Sequence, residues 1–352
     1  MNRITSIRPL DRTAMERAQR RWNNVGKPLH SLGLLERDII QIAGIIGSEM
    51  VQLKRRCAVI FCADNGVVAE GVTQTDSSVT KAVAEAIAGG TSSINRLAGL
   101  FSADVFAVDV GMNTRSSSGG IIDRRVAGGT QNIAERPAMS ESQARKAISA
   151  GIDMVRDCAE KGYDIIVSGE MGIGNTTTSA AIASVLLNKK AEDITGRGAG
   201  LDDEGLKRKI NAVRRAVDIN RPDENDAVDI LSKLGGFDIA AMAGTFLGGG
   251  IYRVPIVIDG FISAIAAALA YKLCPHARDY MLCSHVSAEP AGMEILRLIG
   301  LKPLITAEMH LGEGTGGMFL IPLLDGALSV YGQAHSFDDL KIKHYEDYKC
   351  SY

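Results

Sequence analysis

YDIIVSGEMGIGNTTTSAAIASVLL, residues 163–187, is the stretch whose reading decides the fold of this chain. The run 164–167 reads as a buried strand. It breaks at Ser168 and Gly169 and passes through a loop carrying Gly172 and Gly174. Asn175 and three threonines, beginning with Thr176, then open an apolar helix. Strand, glycine loop and hydroxyl-rich helix start together make an anion trap, because unpaired amide N–H groups and the positive end of the helix dipole point at one spot. Glycine lets the backbone approach a ligand closely. The stretch therefore predicts a site for a phosphorylated ligand, with Glu170 beside it. It lacks the GxxxxGK[ST] order of an NTPase P-loop and the GxGxxG register of a dinucleotide fold. A plain βα turn capped by Asn175 or Thr176 is the structural alternative.

Outward from this stretch the chain alternates short β-rich runs with longer helical patterns. Strands are expected over 57–63, 104–110, 164–168, 255–258 and 280–284. Helices are expected over 81–97, 141–161, 177–187, 204–219, 239–247, 261–273, 291–299 and 317–324. The pattern predicts an α/β fold with a Rossmann-like, mostly parallel sheet flanked by helices. Helical segments at 14–21 and 34–50 precede the first strand. Residues 1–50 and 326–352 are expected to form a smaller helical domain beside a catalytic domain over 51–325. The strands end in Asp64-Asn65-Gly66, Asp109-Val110-Gly111, Gly169-Glu170, Asp259-Gly260 and Ser284-His285. Polar groups beside glycine at five such ends point to one cleft along the C-terminal edge of the sheet.

Composition narrows the class. The 352 residues are 46% hydrophobic and 23% charged, with 38 glycines, the profile of a globular enzyme. A net charge of −2 without a basic stripe argues against a nucleic-acid binder. The longest apolar run, 261–270, is too short to span a bilayer, and the N-terminus lacks the apolar core of a signal peptide. A cytoplasmic protein is expected. Six cysteines without CxxC spacing read as reduced thiols, three of them (Cys57, Cys62 and Cys283) within strand-like runs.

Three further constellations could carry chemistry. In LGEGTGG, residues 311–317, Glu313 is flanked by Gly312 and Gly314; a carboxylate so placed is reachable and weakly solvated under a closed ligand, conditions that suit a general base. The alternative is that Glu313 only stabilises a helix start. GRGAG, residues 196–200, leads into a helix with Lys207, Arg208 and Lys209, one of which could reach a phosphate. His285 and His310 flank apolar runs and read as core or rim histidines. No spacing matches a metal site, and no GxSxG elbow is present.

Taken together, FCADNGVVAEGV (61–72), VDVGMN (108–113), GEMGIGNTT (169–177), LSKLGGFDIAAMAG (231–244), PIVIDGF (255–261), SHVSAEPAG (284–292) and LGEGTGG (311–317) resemble the nicotinate-nucleotide:5,6-dimethylbenzimidazole phosphoribosyltransferases of cobamide lower-ligand synthesis. KPLHSLGLLE (27–36) is similar to that family's KPPGSLGRLE. The likeness runs in order along nearly the whole chain. It implies transfer of phosphoribose from nicotinate mononucleotide, a substrate, to an aromatic acceptor, with no metal or other cofactor. The cationic pyridinium leaves as nicotinate without acid catalysis. By position in the family motifs, Glu313 is the base. Glu170, Gly172, Gly174, Asn175, Thr176, Lys209, Gly312 and Gly314 would hold the nucleotide, and Thr75, Val79, Val83 and Leu311 the acceptor. A dimer, homomeric or with a paralogue, is implied as well.

The departures from the family lie in the acceptor loop. Asp76 stands where the family usually has proline, and Val83 where a glutamine would bond a benzimidazole nitrogen. Loss of that polar partner disfavours an acceptor that needs the bond. The resemblance thus extends to a variant taking phenol or p-cresol. Two other readings remain: a partner subunit with little activity alone, against which the retained Glu313 argues, and a nicotinamide-dependent oxidoreductase, which the loop pattern does not fit.

Overall fold

A computed structural model describes residues 4–116 and 119–346; the last six residues of the segment expected to close the small domain, Cys350 among them, lie outside the described part. Six strands form one sheet: β1 (Arg56–Ala63), β2 (Ala103–Gly111), β3 (Ile122–Asp123), β4 (Ile165–Met171), β5 (Ile256–Ile258) and β6 (Met281–Cys283). They run in the order β3-β2-β1-β4-β5-β6, and every pair is parallel. The α/β expectation is met. A separate parallel pair joins β7 (His285–Val286) to β8 (Ile305–Thr306).

The continuous apolar runs have a simple cause. Along β1, Cys57, Val59, Phe61 and Ala63 enter the hydrophobic cluster on one face, and Ala58, Ile60 and Cys62 enter the cluster on the other. With both faces covered by helices, period-two alternation disappears. On one face, helix Glu141–Glu160 crosses helix Phe237–Tyr252 in backbone contact: a Cβ on Gly151 would lie 1.8 Å from the Ala241 carbonyl oxygen. On the other face, the chain ends meet. Trp22 of helix Arg12–Asn24 packs on Tyr331 of helix Leu320–Gln333 with ring centroids 4.9 Å apart, and Tyr331 Oη donates to the Glu49 carbonyl at 2.9 Å.

Several helix expectations need correction. The helix expected over 81–97 is two, Ser78–Ala88 and Ser93–Leu100, parted at Gly89 and Gly90, where Gly90 has φ +75° and Ser92 caps the second. The one over 34–50 stops at Ile46, because Gly47 turns left-handed at φ +74°. The one over 317–324 is a short turn, Thr315–Met318, and then the long helix Leu320–Gln333. The one over 239–247 continues to Tyr252: Gly248, Gly249 and Gly250 stay helical because Val155, Ile256 and Ile7 pack onto them, tertiary contact overriding propensity. Helix Ala227–Leu234, capped by Asp226 through the Val228 amide at 2.8 Å, is missing from the sequence reading.

Candidate active site

The strand order reverses between β1 and β4, so the chain departs to opposite sides there and leaves a crevice at the carboxyl ends of the strands. A cleft of about 260 Å³ opens at that edge. Its wall comes from the segments after β4, β5 and β6, from residues 310–313 and from Val83 of helix Ser78–Ala88.

The β4 side holds the loop that the sequence marks as a candidate anion site. Gly174 has φ +92° and caps helix Asn175–Leu187; an L-residue there costs about 1–2 kcal/mol. Asn175 is buried and its Nδ2 donates to Glu170 Oε2 and, at 2.9 Å, to Asp238 Oδ2. Two carboxyls so close in a dry site hold protons tightly. Burial, then the Asp238 charge, pushes Glu170 up to about 8, and burial pushes Asp238 up to about 6. Thr176 Oγ1 accepts from Lys209 Nζ at 2.8 Å, and Lys209 is 1% exposed. Burial brings that ammonium down to about 8. Among the described residues no carboxylate forms an ion pair with it. Gly198 adjoins both: a Cβ there would lie 3.0 Å from Lys209 Nζ and 2.9 Å from Thr176 Oγ1. A hydroxyl and a bare backbone on the cleft wall, with a buried ammonium directly behind them, have the polarity that complements an anion.

The opposite half is the 311–317 loop. Gly312, Glu313 and Gly314 are left-handed in succession, with φ of +85°, +58° and +78°. Glu313 is the exception among them, a side-chain-bearing residue held where only glycine is at ease. Burial raises its carboxyl, opposed by the Ile94 amide, and the Asp259 charge adds to the rise. Its Oε2 is buried without a hydrogen-bond partner among the described residues. Such a carboxyl gains by accepting a proton. The two halves touch, since a Cβ on Gly312 would lie 2.6 Å from Glu170 Oε1.

Of the residues singled out in the sequence, Val83, Glu170, Gly172, Asn175, Thr176, Leu311, Gly312 and Glu313 line the cleft, and Lys209 reaches it through Thr176. Gly174 and Gly314 stand one layer behind, shaping the backbone. Thr75 lies exposed on the turn before helix Ser78–Ala88 and Val79 is half-buried; neither lines the cleft. His285 and His310 are on its wall, with burial lowering His285. Asp238 and Glu289 also belong to the site, without a motif position that singles them out in the sequence. Glu289 Oε1 accepts the Gly198 amide at 3.0 Å. Asp238 had a signal, a lone acid inside the apolar run FDIAAMAG.

No group of three or more His, Cys, Asp or Glu among the described residues could hold a metal ion, and no helix among them is long and apolar enough to cross a membrane.

The sheet is doubly wound, with its cleft at the switch point between Thr176 and Glu313, and a family model described as "Phosphoribosyltransferase" matches residues 7–342, which makes the chain a phosphoribosyltransferase by family. The nicotinate-nucleotide–dimethylbenzimidazole phosphoribosyltransferase of Ruminiclostridium cellulolyticum is 45% identical over 343 residues, 97% of each chain. The enzyme of the same name from Acetivibrio thermocellus is 44% identical over 97% of this chain and 98% of its own. The crystal structure of CobT from Thermus thermophilus superposes with a TM-score of 0.89 at 34% identity, covering 95% of this chain and all of that one. The chain belongs to the nicotinate-nucleotide–dimethylbenzimidazole phosphoribosyltransferase family.

Proposed function

We propose that the chain transfers the 5-phosphoribosyl group of nicotinate mononucleotide to an aromatic acceptor and releases nicotinate, as a step of cobamide lower-ligand synthesis. The observation that carries this is that Thr176, held from behind by the buried Lys209, lines one cleft with Glu313. Lys209, Thr176 and Gly198 seat the phosphate. Asn175 and Glu170 hold the ribose side. The C1′–N bond breaks with its electron pair moving to the pyridinium nitrogen, the acceptor's lone pair takes C1′, and Glu313 removes the acceptor's proton.

The relatives are named for dimethylbenzimidazole, and a benzimidazole is the first acceptor the reading supplies. A second reading is favoured by Val83, which lines the cleft and offers no hydrogen bond. An acceptor with one heteroatom, such as phenol or p-cresol, leaves nothing unpaired there. The test is nicotinate mononucleotide with benzimidazoles, purines and phenols, each product identified by mass; dimethylbenzimidazole far outpacing every phenol ends the second reading. The reading includes a dimer, homomeric or with a paralogue, which sedimentation of the pure chain decides.

The residue roles have their own test. Glu313→Gln loses acceptor-dependent nicotinate release by about 100-fold or more while still binding the nucleotide. Lys209→Met loses the binding itself, by roughly 2 kcal/mol on calorimetry. Undiminished turnover of the first variant removes Glu313 as the base.

A further inference from the structure

Asp259 follows β5, is 3% exposed, and spends both carboxylate oxygens on the loop that carries Glu313. Oδ2 accepts the Gly314 amide at 3.1 Å and Oδ1 accepts the Gly317 amide at 2.8 Å. Glu313 stands immediately before the first of these contacts in its left-handed conformation. On the other side the loop rests on β4: a Cβ on Gly169 would lie 2.6 Å from the Gly314 nitrogen and 2.9 Å from the Glu313 carbonyl carbon. His285 underlies the same turn, since a Cβ on Gly316 would lie 2.0 Å from His285 Cε1. The loop is thus gripped between a carboxylate and a bare stretch of strand.

We propose that Asp259 is the positioning residue of Glu313, clamping the left-handed turn so that the Glu313 carboxyl faces the acceptor, and setting a negative charge behind it. The inference rests on the reading of Glu313 as base. Three titratable groups face Asp259: His285 from β7, Glu313 from its own loop and Glu170 from β4. Burial pushes the Asp259 carboxyl up, while His285 and the amides of Gly314, Gly316 and Gly317 pull it down. Both oxygens accept N–H groups, the pattern of a carboxylate. Its charge opposes ionisation of Glu313 and so makes that group the better proton acceptor.

Asp259→Asn keeps the shape, loses the charge and turns an N–H donor toward one of the two amides. Its kcat for nicotinate release falls roughly 10- to 100-fold while its Kd for nicotinate mononucleotide, measured by calorimetry, stays within about threefold. The acid limb of its kcat profile moves to lower pH. Gly169→Ala pushes the loop from the other side and gives the same split between kcat and Kd with the acid limb unmoved. Asp259→Glu, should the asparagine variant melt below assay temperature, retains the wild-type limb at reduced kcat. A kcat within twofold of wild type, or nucleotide affinity falling in step with kcat, overturns the proposal. An NMR titration of carbon-labelled glutamate, with the Glu313 signal assigned by its loss in Glu313→Gln, needs no turnover. It moves down in Asp259→Asn if the proposal holds even where no acceptor is turned over, and an unmoved titration overturns it.

Discussion

Glu170 shows what the site costs the protein. Its folded-state carboxyl, raised to about 8 by burial and then by the Asp238 charge, holds a proton that the unfolded chain has already lost. A raised acid stabilises fully below its unfolded value and loses that contribution as pH rises through the folded one, so the window runs from about 4.3 to about 8. Glu170→Gln keeps an acceptor for Asn175 and removes the titration. Its unfolding free energy, from urea melts, therefore falls less between pH 6 and pH 9 than that of the wild type, by at least about 1 kcal/mol. An identical pH dependence in both proteins contradicts the buried-acid assignment. Lys209 is the matching lesson about what a sequence displays. Lys207, Arg208 and Lys209 are equivalent as letters, and the likeness to a family picked out the third. Helical phase could have done so: Lys209 shares its stripe with the buried Ala212, Val213 and Ala216. Asp238 was harder, since an acid within an apolar run hints at burial but gives no sign of the Glu170 carboxyl and Asn175 amide that meet it.

At the scale of elements, strands were legible because a short continuous apolar run bounded by glycine fits a strand covered on both faces and is too short for a buried helix. β3, two residues long, carries no such run and only its partner β2 defines it. Helix ends were less legible, because glycine plays opposite parts. Gly89 and Gly90 break a helix, whereas Gly248, Gly249 and Gly250 are carried through one by their neighbours. Two other glycines are fixed by backbone contact. Gly151 and Gly244 let helices Glu141–Glu160 and Phe237–Tyr252 touch backbone to backbone, and a Cβ on Gly244 would lie 2.0 Å from the Ile148 carbonyl oxygen. Helix propensity favours alanine by about 1 kcal/mol, yet Gly244→Ala is expected to destabilise by about 3 kcal/mol or more, because two buried backbones must part. Equal or greater stability in chemical denaturation would show that the helices can slide.

For the whole molecule, the question is whether the chain ends form a unit of their own. Helices Arg12–Asn24, Leu34–Ile46 and Leu320–Gln333 gather on one side of the sheet, as a small domain would. Their apolar residues do not stop there. Trp22, Ile39, Ile42 and Leu324 belong to the same cluster as Ala58, Ile60 and Val167 of the central strands, and Ile45 reaches the cluster on the other face. Arg56 at the start of β1 pairs with Asp325, Nη1 to Oδ2 at 2.8 Å. A unit whose core is shared with the sheet cannot melt without exposing the sheet, so one cooperative transition is expected. The chain carries its own reporter. Trp22 is the sole tryptophan of the sequence, fully buried against Tyr331. Its emission should shift to the red at the same denaturant concentration at which far-ultraviolet circular dichroism records loss of the sheet and helices. If the fluorescence midpoint comes clearly earlier, the terminal helices undock as a separate domain, and the shared core is too weak to couple them.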